Sequence, residues 1–530
     1  MGAQQSTPSR TAPSYSDDKQ AAYDGLRSEA ARASSSRANT KAADLLASLS
    51  HHNGGKAPAT AAVTLDQIAV WDKQALAKPE WRMAQTALHK ADVLSTMVSR
   101  KAAVSASHVF NIKLSTENDL VSNQKSSGRC WLFAMCNTIR LQMTRKYNLE
   151  GFELSQSYLF FYDSLSKANW MLENILELAD EDLDSRIVQY LLSMPENDGG
   201  QYSMAQNLVE QFGLVPQSVF PESFNSSQSA KLDAILTSKL RQYALELREL
   251  YSCSLHSLHD DHAKTVAEKR LAAQTAARQH KDACLAEVYR ILVITLGRPP
   301  QPDEEFTWEY YDKSKKFHSV KTTPKQFVKN YCLVDVSGGV SLVHDPRNKP
   351  GLYTVDRLGN VWGGKPVLYV NTSIEDLKQV AISLLKADTP VWFGCDVGKS
   401  SSTSLGILDT NLYDLEECFS TSVKMTKAQR LQTGDSEMTH AMVLTAVHLD
   451  DKGKPVRWRV ENSWGPDACE KGFFTMTDEW FSMNVYQVVA DRKMVPHALR
   501  KVFDEGEPTK LPAWDPMGSL AGRGRVLGVI

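Results

Sequence analysis

Apolar residues recur every three to four positions through much of the first half of the chain. Between residue 65 and about residue 104 this spacing predicts helices, with a break at Pro79 because proline lacks the N–H that a helix interior needs. The spacing resumes at Cys130 and predicts a helix that begins at or just before the cysteine and buries its apolar face. That face is formed by Trp131, Leu132, Met135, Ile139 and Met143.

A longer helical region is predicted between about residues 228 and 298, where it is closed by Pro299 and Pro300. Its apolar stripes are Leu232, Leu236, Leu240, Leu247 and Leu250, then Leu285, Val288 and Leu292. The basic residues at 264–281 are interpreted as a solvated face. From about residue 350 short β-branched runs bounded by Gly, Asp and Asn predict an antiparallel sheet. These runs are 366–370, 390–395, 441–447 and 457–460.

The first 62 residues are rich in Ala, Ser, Thr and Gln. They hold too few large apolar side chains to offset the entropy of ordering, so this segment is predicted to be disordered. Its first six residues, MGAQQS, fit the pattern for myristoylation of Gly2, and one acyl chain would give only weak membrane association. A mitochondrial presequence is the alternative, although Asp17, Asp18 and Asp24 count against it.

Composition excludes several classes of protein. Of 530 residues 42% are hydrophobic and 23% charged, and the net charge of −2 carries no global signature of a nucleic-acid or membrane protein. The 8 cysteines form no C-x-x-C pair, which argues against a disulfide scaffold and a zinc module. No metal and no cofactor are predicted. Without a secretory leader or an apolar run near the roughly 20 residues of a membrane span, a cytoplasmic location is expected, with a mitochondrial form as the alternative.

The stretch VSNQKSSGRCWLFAMC at 121–136 concentrates the candidate chemistry. Its two cysteines allow three interpretations: a redox or metal-binding pair, a buried structural thiol, or a nucleophile. Cys136 lies about 240° round the helix from Cys130, so the two cannot share a surface and Cys136 is interpreted as packing. A helix N-terminus lowers a thiol pKa because unpaired N–H groups and the helix dipole stabilise the thiolate. Cys130 is therefore a candidate nucleophile.

A thiolate nucleophile needs an imidazole partner, and the imidazole needs a group that orients it. Among 13 histidines, His440 heads an apolar strand-like run, where the alternative is an ordinary buried histidine. Asn462 ends a second run just ahead of Trp464. The Asn462 carbonyl can accept the imidazole N–H while the tryptophan shields that bond from water. A Cys–His–Asn set on separate elements fits an acyl-transfer triad.

Six motifs, in order between about residues 65 and 521, resemble the bleomycin hydrolase family of the papain superfamily. They are NQKSSGRCWLFA, FELSQSYLFFYD, DGGQYSM, MTHAM, RVENSWG and LPAWDPMG. Papain-type enzymes place the histidine about 130–150 residues after the cysteine, whereas here the separation from 130 to 440 is 310 residues. The resemblance therefore implies an α+β, papain-like fold of two subdomains with a large helical insertion.

The resemblance also implies a division of the chain. The implied parts are a disordered extension at 1–62, a helical half with the nucleophile at 63–227, a helical insertion at 228–299, a β-rich half at 300–500, and a tail at 501–530 that enters the cleft.

By the same resemblance each site residue has an expected role. Cys130 is the nucleophile, His440 the general base and then acid, and Asn462 the orienting group. Gln124 supplies a side-chain N–H to the oxyanion hole. The expected substrate-binding residues are Asp198, Gly199, Gly200, Trp464 and Ala521.

The resemblance implies an aminopeptidase, since in this family the chain terminus lies in the cleft and its carboxylate can receive the substrate's ammonium. This sequence departs from that pattern, because GRGRVLGVI follows Ala521. We expect the enzyme to trim this tail once, with a wrongly placed gene end as the alternative.

The family also implies a homohexamer, peptide substrates with a free N-terminus, inactivation of bleomycin and detoxification of homocysteine thiolactone. Two other functions stay open. One is secondary DNA or RNA binding through the basic residues at 264–281, and the other is a different thiol amidase or acyltransferase on the same three residues.

Overall fold

The computed structural model describes residues 62–75, 77–117, 120–332 and 335–521. The predicted disorder covers 1–62, and the myristoylation pattern and the presequence alternative belong to the same segment, of which residues 1–61 lie outside the described residues. The chain divides into two compact units, 1–83 and 84–530. The first unit holds the helix Leu65–Ala75 and the start of the helix Pro79–Leu88. The predicted break at Pro79 is confirmed, since a new helix begins there.

Helices dominate the N-terminal part of the second unit. Those described before residue 300 are Val93–Thr96, Arg100–Ser105, Cys130–Tyr147, Gln156–Glu177, Arg186–Ser193, Tyr202–Phe212, Phe224–Ser227, Ala230–Ser257 and Val266–Leu296. Those described later are Pro324–Tyr331, Ile374–Lys386, Leu415–Phe419, Lys427–Thr433, Asp478–Asn484 and His497–Glu505, with 3-10 turns at Val336–Gly338 and Pro516–Ala521. No helix among the described residues is both long enough and apolar enough to span a membrane.

Strands dominate the C-terminal part. They are β1 (Ile112–Lys113), β2 (Phe306–Tyr311), β3 (Phe317–Thr322), β4 (Gly339–Val343), β5 (Gly351–Val355), β6 (Tyr369–Asn371), β7 (Val391–Cys395), β8 (Ser401–Ser402), β9 (Ile407–Leu408), β10 (His440–Leu449), β11 (Pro455–Glu461), β12 (Phe473–Thr477), β13 (Val485–Asp491) and β14 (Thr509–Leu511).

Twelve of these strands form one sheet in the order β14-β5-β6-β4-β13-β7-β10-β11-β12-β9-β8, and β1 adds to β10. The pairs around β10 are antiparallel, as predicted. The pairs β4 with β6, β5 with β14 and β9 with β12 are parallel, so the sheet as a whole is mixed. The α+β class is confirmed.

The predicted long helical region is an antiparallel helical hairpin, formed by the helices Ala230–Ser257 and Val266–Leu296. Both pack against the helix Gln156–Glu177. Most leucines of the predicted stripes are buried, but Leu250 is 39% exposed and lies outside the core. The second helix has a capping box in which Thr265 and Glu268 bond each other's backbone N–H.

Three of the basic residues of this hairpin form ion pairs with the carboxylates of other helices or loops. Arg278 and Lys281 both bind the buried carboxylate of Glu173, with Arg278 Nη2 at 2.8 Å from Oε2. Arg270 pairs with Asp180 at 3.0 Å. The prediction of a solvated face is wrong for Lys281, whose side chain is only 13% exposed.

The register of the sheet places two of the candidate residues close together. His440 is the first residue of β10 and pairs with Cys395 of β7. On the other side of β10, Val443 pairs with Glu461, the last residue of β11. Because antiparallel partners run in opposite directions, Asn462 returns beside the start of β10. Residues 22 positions apart in sequence thus become neighbours.

Candidate active site

Cys130 is the first residue of the helix Cys130–Tyr147, as predicted. Its side chain is buried, and Sγ lies 3.8 Å from the carbonyl oxygen of Gly128. Burial raises the pKa of this thiol to about 12, and the backbone N–H groups of Ala441 and Trp131 oppose that shift. The Ala441 N–H therefore faces the sulfur, which puts the cysteine beside the first residues of β10.

His440 and Asn462 form the hydrogen bond that the sequence suggested. Nε2 of His440 lies 2.8 Å from Oδ1 of Asn462, and both residues are buried. A carbonyl oxygen only accepts, so Nε2 carries the proton and Nδ1 of the neutral ring keeps its lone pair. Burial lowers the pKa of His440 to about 4, and the bond to Asn462 opposes that shift. The resting imidazole is therefore neutral over the physiological pH range.

Trp464 covers this pair. Its ring lies 5.2 Å from the His440 ring, measured between centroids, at an angle of 37°. Asn462 Oδ1 also accepts a bond from the backbone N–H of Ser463 at 2.8 Å, which fixes the amide orientation. The position of the imidazole is therefore determined by two hydrogen bonds and one aromatic contact.

The loop before the cysteine is joined to the loop after Asn462. The backbone N–H of Gln124 donates to the Ser463 carbonyl at 2.8 Å, and Gly465 N–H donates to the Ser122 carbonyl at 3.0 Å. The Gln124 side chain accepts a bond from the Ser463 hydroxyl and donates one from Nε2 to the Ser127 carbonyl at 2.6 Å. These bonds hold the Gln124 amide beside the cysteine.

One cleft of about 1540 Å³ is lined by Gln124, Cys130, His440 and Trp464. The thiol and the imidazole thus face the same space, although 310 residues separate them in sequence. Burial disfavours an isolated thiolate and an isolated imidazolium, as the two pKa shifts show. A proton passing from sulfur to Nδ1 creates both charges together, so each stabilises the other. This arrangement suits nucleophilic attack by sulfur.

The three residues of the motif at 198–200 do not all lie at the cleft. Asp198 and Gly199 line the cleft. Gly200 is not among the described residues that line it, and a Cβ there would lie 2.4 Å from the Trp131 ring. Gly200 is therefore required for packing behind the cysteine helix, an observation that favours a structural role over substrate binding.

Sequence reasoning missed how Asp198 and Lys167 stabilise the side of the cleft formed by residues 198–199. The Asp198 carboxylate accepts hydrogen bonds from the Gly128 N–H and the Ser229 hydroxyl. Buried Lys167 donates to the carbonyls of Asn197 and Gly199, at 2.8 and 2.5 Å, while pairing with Asp163. The available signal was an Asp–Lys pair four residues apart in a stretch rich in large apolar and aromatic side chains.

Comparison with known proteins agrees with this geometry. Residues 62–518 match the model of the Peptidase C1-like family. Bleomycin hydrolase of Rattus norvegicus is 43% identical over 474 residues, which cover 87% of this chain and 99% of the relative. The chain belongs to the peptidase C1-like family.

Other members extend the comparison. Cysteine proteinase 1, mitochondrial, of Saccharomyces cerevisiae is 39% identical over 469 residues, which cover 87% of this chain and 94% of the relative. The crystal structure of PepW from Lactobacillus rhamnosis superposes with a TM-score of 0.80 at 43% identity, covering 86% of this chain and 99% of that one. The family assignment predicted from the motifs is confirmed: this is a cysteine peptidase of the papain C1 family, similar to bleomycin hydrolase.

The C-terminal segment of this C1-like peptidase reaches the cleft. In the turn Pro516–Ala521, Leu520 lines the cleft, and the Ser519 hydroxyl donates to the Met438 carbonyl at 2.8 Å. Met438 precedes His440 by two residues, so the turn is fastened next to the imidazole. Ala521 is the last described residue and is partly exposed. The predicted trimming concerns 522–530, outside the described residues.

Proposed function

We propose that this peptidase is an aminopeptidase in which Cys130 attacks the substrate carbonyl and His440 transfers the proton. The observation that carries the proposal is the 2.8 Å bond between His440 Nε2 and Asn462 Oδ1. It leaves Nδ1 as the basic nitrogen of a ring that shares the cleft with Sγ.

The reaction follows from these groups. As Sγ bonds to the carbonyl carbon, its proton passes to His440 Nδ1, and the carbonyl oxygen becomes an oxyanion. His440 then gives the proton to the departing amine, and a thioester with Cys130 remains. Water attacks the thioester with His440 as base, and the carboxylic acid leaves while the thiol is restored.

Gln124 is proposed as an oxyanion donor. An amide has two N–H groups, and among the described residues Nε2 gives one of them to the Ser127 carbonyl. The other N–H is available to a ligand in the cleft that Gln124 lines. The Cys130 backbone N–H, at the first turn of its helix, is the second proposed donor.

Asn462 and Trp464 are proposed to position the imidazole. Asn462 binds Nε2 and so leaves Nδ1 as the nitrogen proposed to take the thiol proton, and Trp464 is proposed to keep water from competing for the Nε2–H bond. Asp198 and Gly199 are proposed to border the path of the substrate backbone, because both line the cleft. Gly200 supports that wall through its close contact with Trp131.

The position of the C-terminal turn supports the proposal that the enzyme cleaves only at the N-terminal end of its substrates. The turn places Leu520 in the wall of the cleft that Cys130 also lines, so it takes up part of the space open to a substrate. A chain ending at Ala521 would place a carboxylate there, and a free α-ammonium would pair with it in a charge-assisted hydrogen bond. We propose that hydrolysis of the 521–522 peptide bond, through the same thioester, releases GRGRVLGVI and creates this carboxylate.

The decisive test combines a substrate profile with intact-mass measurement. Wild-type enzyme should hydrolyse aminoacyl fluorogenic amides and reject the same compounds with a blocked amine. Cys130→Ala should lose the activity and retain Ile530 as the last residue. An active aminopeptidase whose mass still includes residues 522–530 would refute the trimming proposal, and activity in Cys130→Ala would refute the nucleophile.

The finer biological setting is also part of the proposal. A homohexamer in the cytoplasm, acting on peptides with a free N-terminus, follows from the family resemblance, and size-exclusion chromatography with light scattering tests the assembly. The name of the yeast relative includes the word mitochondrial, so cell fractionation should compare both compartments. Bleomycin and homocysteine thiolactone are candidate substrates. Mass spectrometry of the protein isolated from cells tests whether Gly2 is myristoylated.

Nucleic-acid binding is not favoured, because the described basic residues at 264–281 are largely engaged within the chain. Arg278 and Lys281 share Glu173, and Lys269 Nζ donates to the His259 carbonyl at 2.8 Å. Retention on DNA that falls steeply with salt would contradict this interpretation.

A further inference from the structure

A group of metal-binding side chains lies on the helical hairpin formed by Ala230–Ser257 and Val266–Leu296. Glu246 is on the first helix, and His280 and Cys284 are on the second, four residues apart and therefore on one face. One ligand atom from each of the three lies within 4.8 Å of the other two. None of the three is among the described residues that line the cleft.

The three donors form a set that suits zinc. Imidazole nitrogen, thiolate sulfur and carboxylate oxygen are the zinc ligands found in proteins, with bonds of about 2.0–2.3 Å. Tetrahedral geometry then places ligand atoms about 3.3–3.8 Å apart. The present spacing, within 4.8 Å, reaches that geometry through side-chain shifts of about 1 Å.

The hydrogen bond already present marks where an ion would sit. His280 Nε2 lies 2.8 Å from Glu246 Oε2, with a proton between them. A divalent cation can replace that proton and bind both atoms once they separate to the ligand spacing. Two ligands are thus already directed at a common point, and Cys284 lies beside it.

Exposure and charge favour an ion at this point. Cys284 is 3% exposed, whereas the side chains of His280 and Glu246 are 40% and 35% exposed. An ion can therefore reach the exposed His280 and Glu246 from solvent and then bind the buried sulfur of Cys284. The charges of one thiolate and one carboxylate equal that of a divalent cation, so the bound set is neutral. Lys239 is the nearby cation that opposes binding, and it pairs with Glu287 at 3.3 Å.

We propose that Glu246, His280 and Cys284 bind one Zn²⁺ ion per chain, with water in the fourth position. Binding releases the thiol proton to solvent as the zinc–sulfur bond forms, with no change of oxidation state. His280 ligates as the neutral ring: Nε2 gives its proton to solvent and Nδ1 takes one up, so the net release is the thiol proton. The ion joins the two helices at mid-length and stabilises the hairpin through its affinity for the folded state. Sequence spacing did not reveal the site because Glu246 precedes His280 by 34 residues, and only the hairpin brings them together.

The test uses the full chain with the substitution Cys130→Ala, so that the active-site thiol cannot bind the probe. Co²⁺ is titrated first, because a thiolate-to-cobalt absorption band reports sulfur coordination, and Zn²⁺ is then used to displace it. Variants in the same background are Cys284→Ser, His280→Ala and Glu246→Gln. Cys253→Ser is the matched control, since this exposed cysteine lies on the same hairpin outside the cluster.

We expect one Co²⁺ per chain, displaced by one equivalent of Zn²⁺. The absorption band should disappear in Cys284→Ser, remain in Cys253→Ser, and require at least tenfold more metal in His280→Ala and Glu246→Gln. Zn²⁺ should raise the unfolding temperature of the background protein and leave that of His280→Ala unchanged. Absence of the band, its survival in Cys284→Ser, or its loss in Cys253→Ser would overturn the proposal. If Cys284→Ser does not fold, the two other variants decide it.

Discussion

Replacing Asn462 by alanine tests the physical basis of the proposed mechanism. The substitution removes the oxygen that accepts from His440 Nε2 at 2.8 Å, at a position that is 1% exposed. Leaving a buried donor unpaired costs about 1–3 kcal/mol. Each 1.36 kcal/mol is a factor of ten in rate, so kcat/KM should fall about 5- to 150-fold if the transition state bears that cost.

The pH profile gives a second readout of the same perturbation. The reactive ring is neutral, and burial lowers the pKa of His440 to about 4, so activity should be lost as pH falls through that value. The Asn462 hydrogen bond raises this pKa, so Asn462→Ala should move the acid limb to lower pH. Asn462→Asp places a carboxylate against the ring and should move the limb to higher pH.

The assay is kcat/KM for an aminoacyl fluorogenic amide, measured from pH 3.5 to 9 on folded protein. Ser463→Ala is the matched control for the pH profile: it removes the hydroxyl bonded to Gln124 and lowers the rate, but it leaves the His440 bond intact, so its acid limb should stay at the wild-type pH. A result within twofold of wild type for Asn462→Ala, or an acid limb that does not move in Asn462→Asp, would refute the reasoning.

Three further outcomes are expected. Gln124→Ala should lower kcat about 10²–10³-fold with little change in KM, as steady-state kinetics will show; an unchanged kcat would remove it from the oxyanion hole. Gly200→Ala puts a methyl group 2.4 Å from the Trp131 ring and should cost about 1–3 kcal/mol in urea unfolding. Its control is Gly518→Ala, where the nearest atom is 3.4 Å away, and equal effects would contradict the packing argument. His440→Gln should flatten the rise of stability with pH between about 4 and 6.5. In that window the unfolded histidine binds a proton that the folded one, with a pKa of about 4, does not. Parallel stability curves for the two proteins would contradict this.

The helix start at Cys130 illustrates what local pattern can determine. Apolar periodicity after the cysteine predicted both the start of the helix and its buried face, and the structure has Cys130–Tyr147. The break at Pro79 has an equally local cause, the missing backbone donor. The strand predicted at 366–370 is observed at Tyr369–Asn371, because its limits depend on pairing with β4 and β5.

Side-chain environment was harder to predict than secondary structure. Lys281 lies among other charged residues in the sequence and was predicted to face solvent. In the structure it forms a nearly buried ion pair with Glu173 of another helix. Gly200 was predicted to bind substrate, yet the indole of Trp131 occupies the space where a side chain at this position would lie. In both cases the deciding contact comes from a residue distant in sequence.

By itself the sequence determined the helix at Cys130, the helical region at 228–298, the strands β7, β10 and β11, the family, and the residue types able to carry acyl transfer, because these depend on spacing and local chemistry. The helix Gln156–Glu177 and the strands β12 and β13 were not predicted. Tertiary structure decided that His440 Nε2 meets Asn462, that Gln124 is held by Ser463, and that Glu246 faces Cys284. Those contacts join residues 22, 339 and 38 positions apart. Only the sheet register and helix packing fix such distances, and the burial that packing creates sets the thiol and imidazole pKa values on which the chemistry depends.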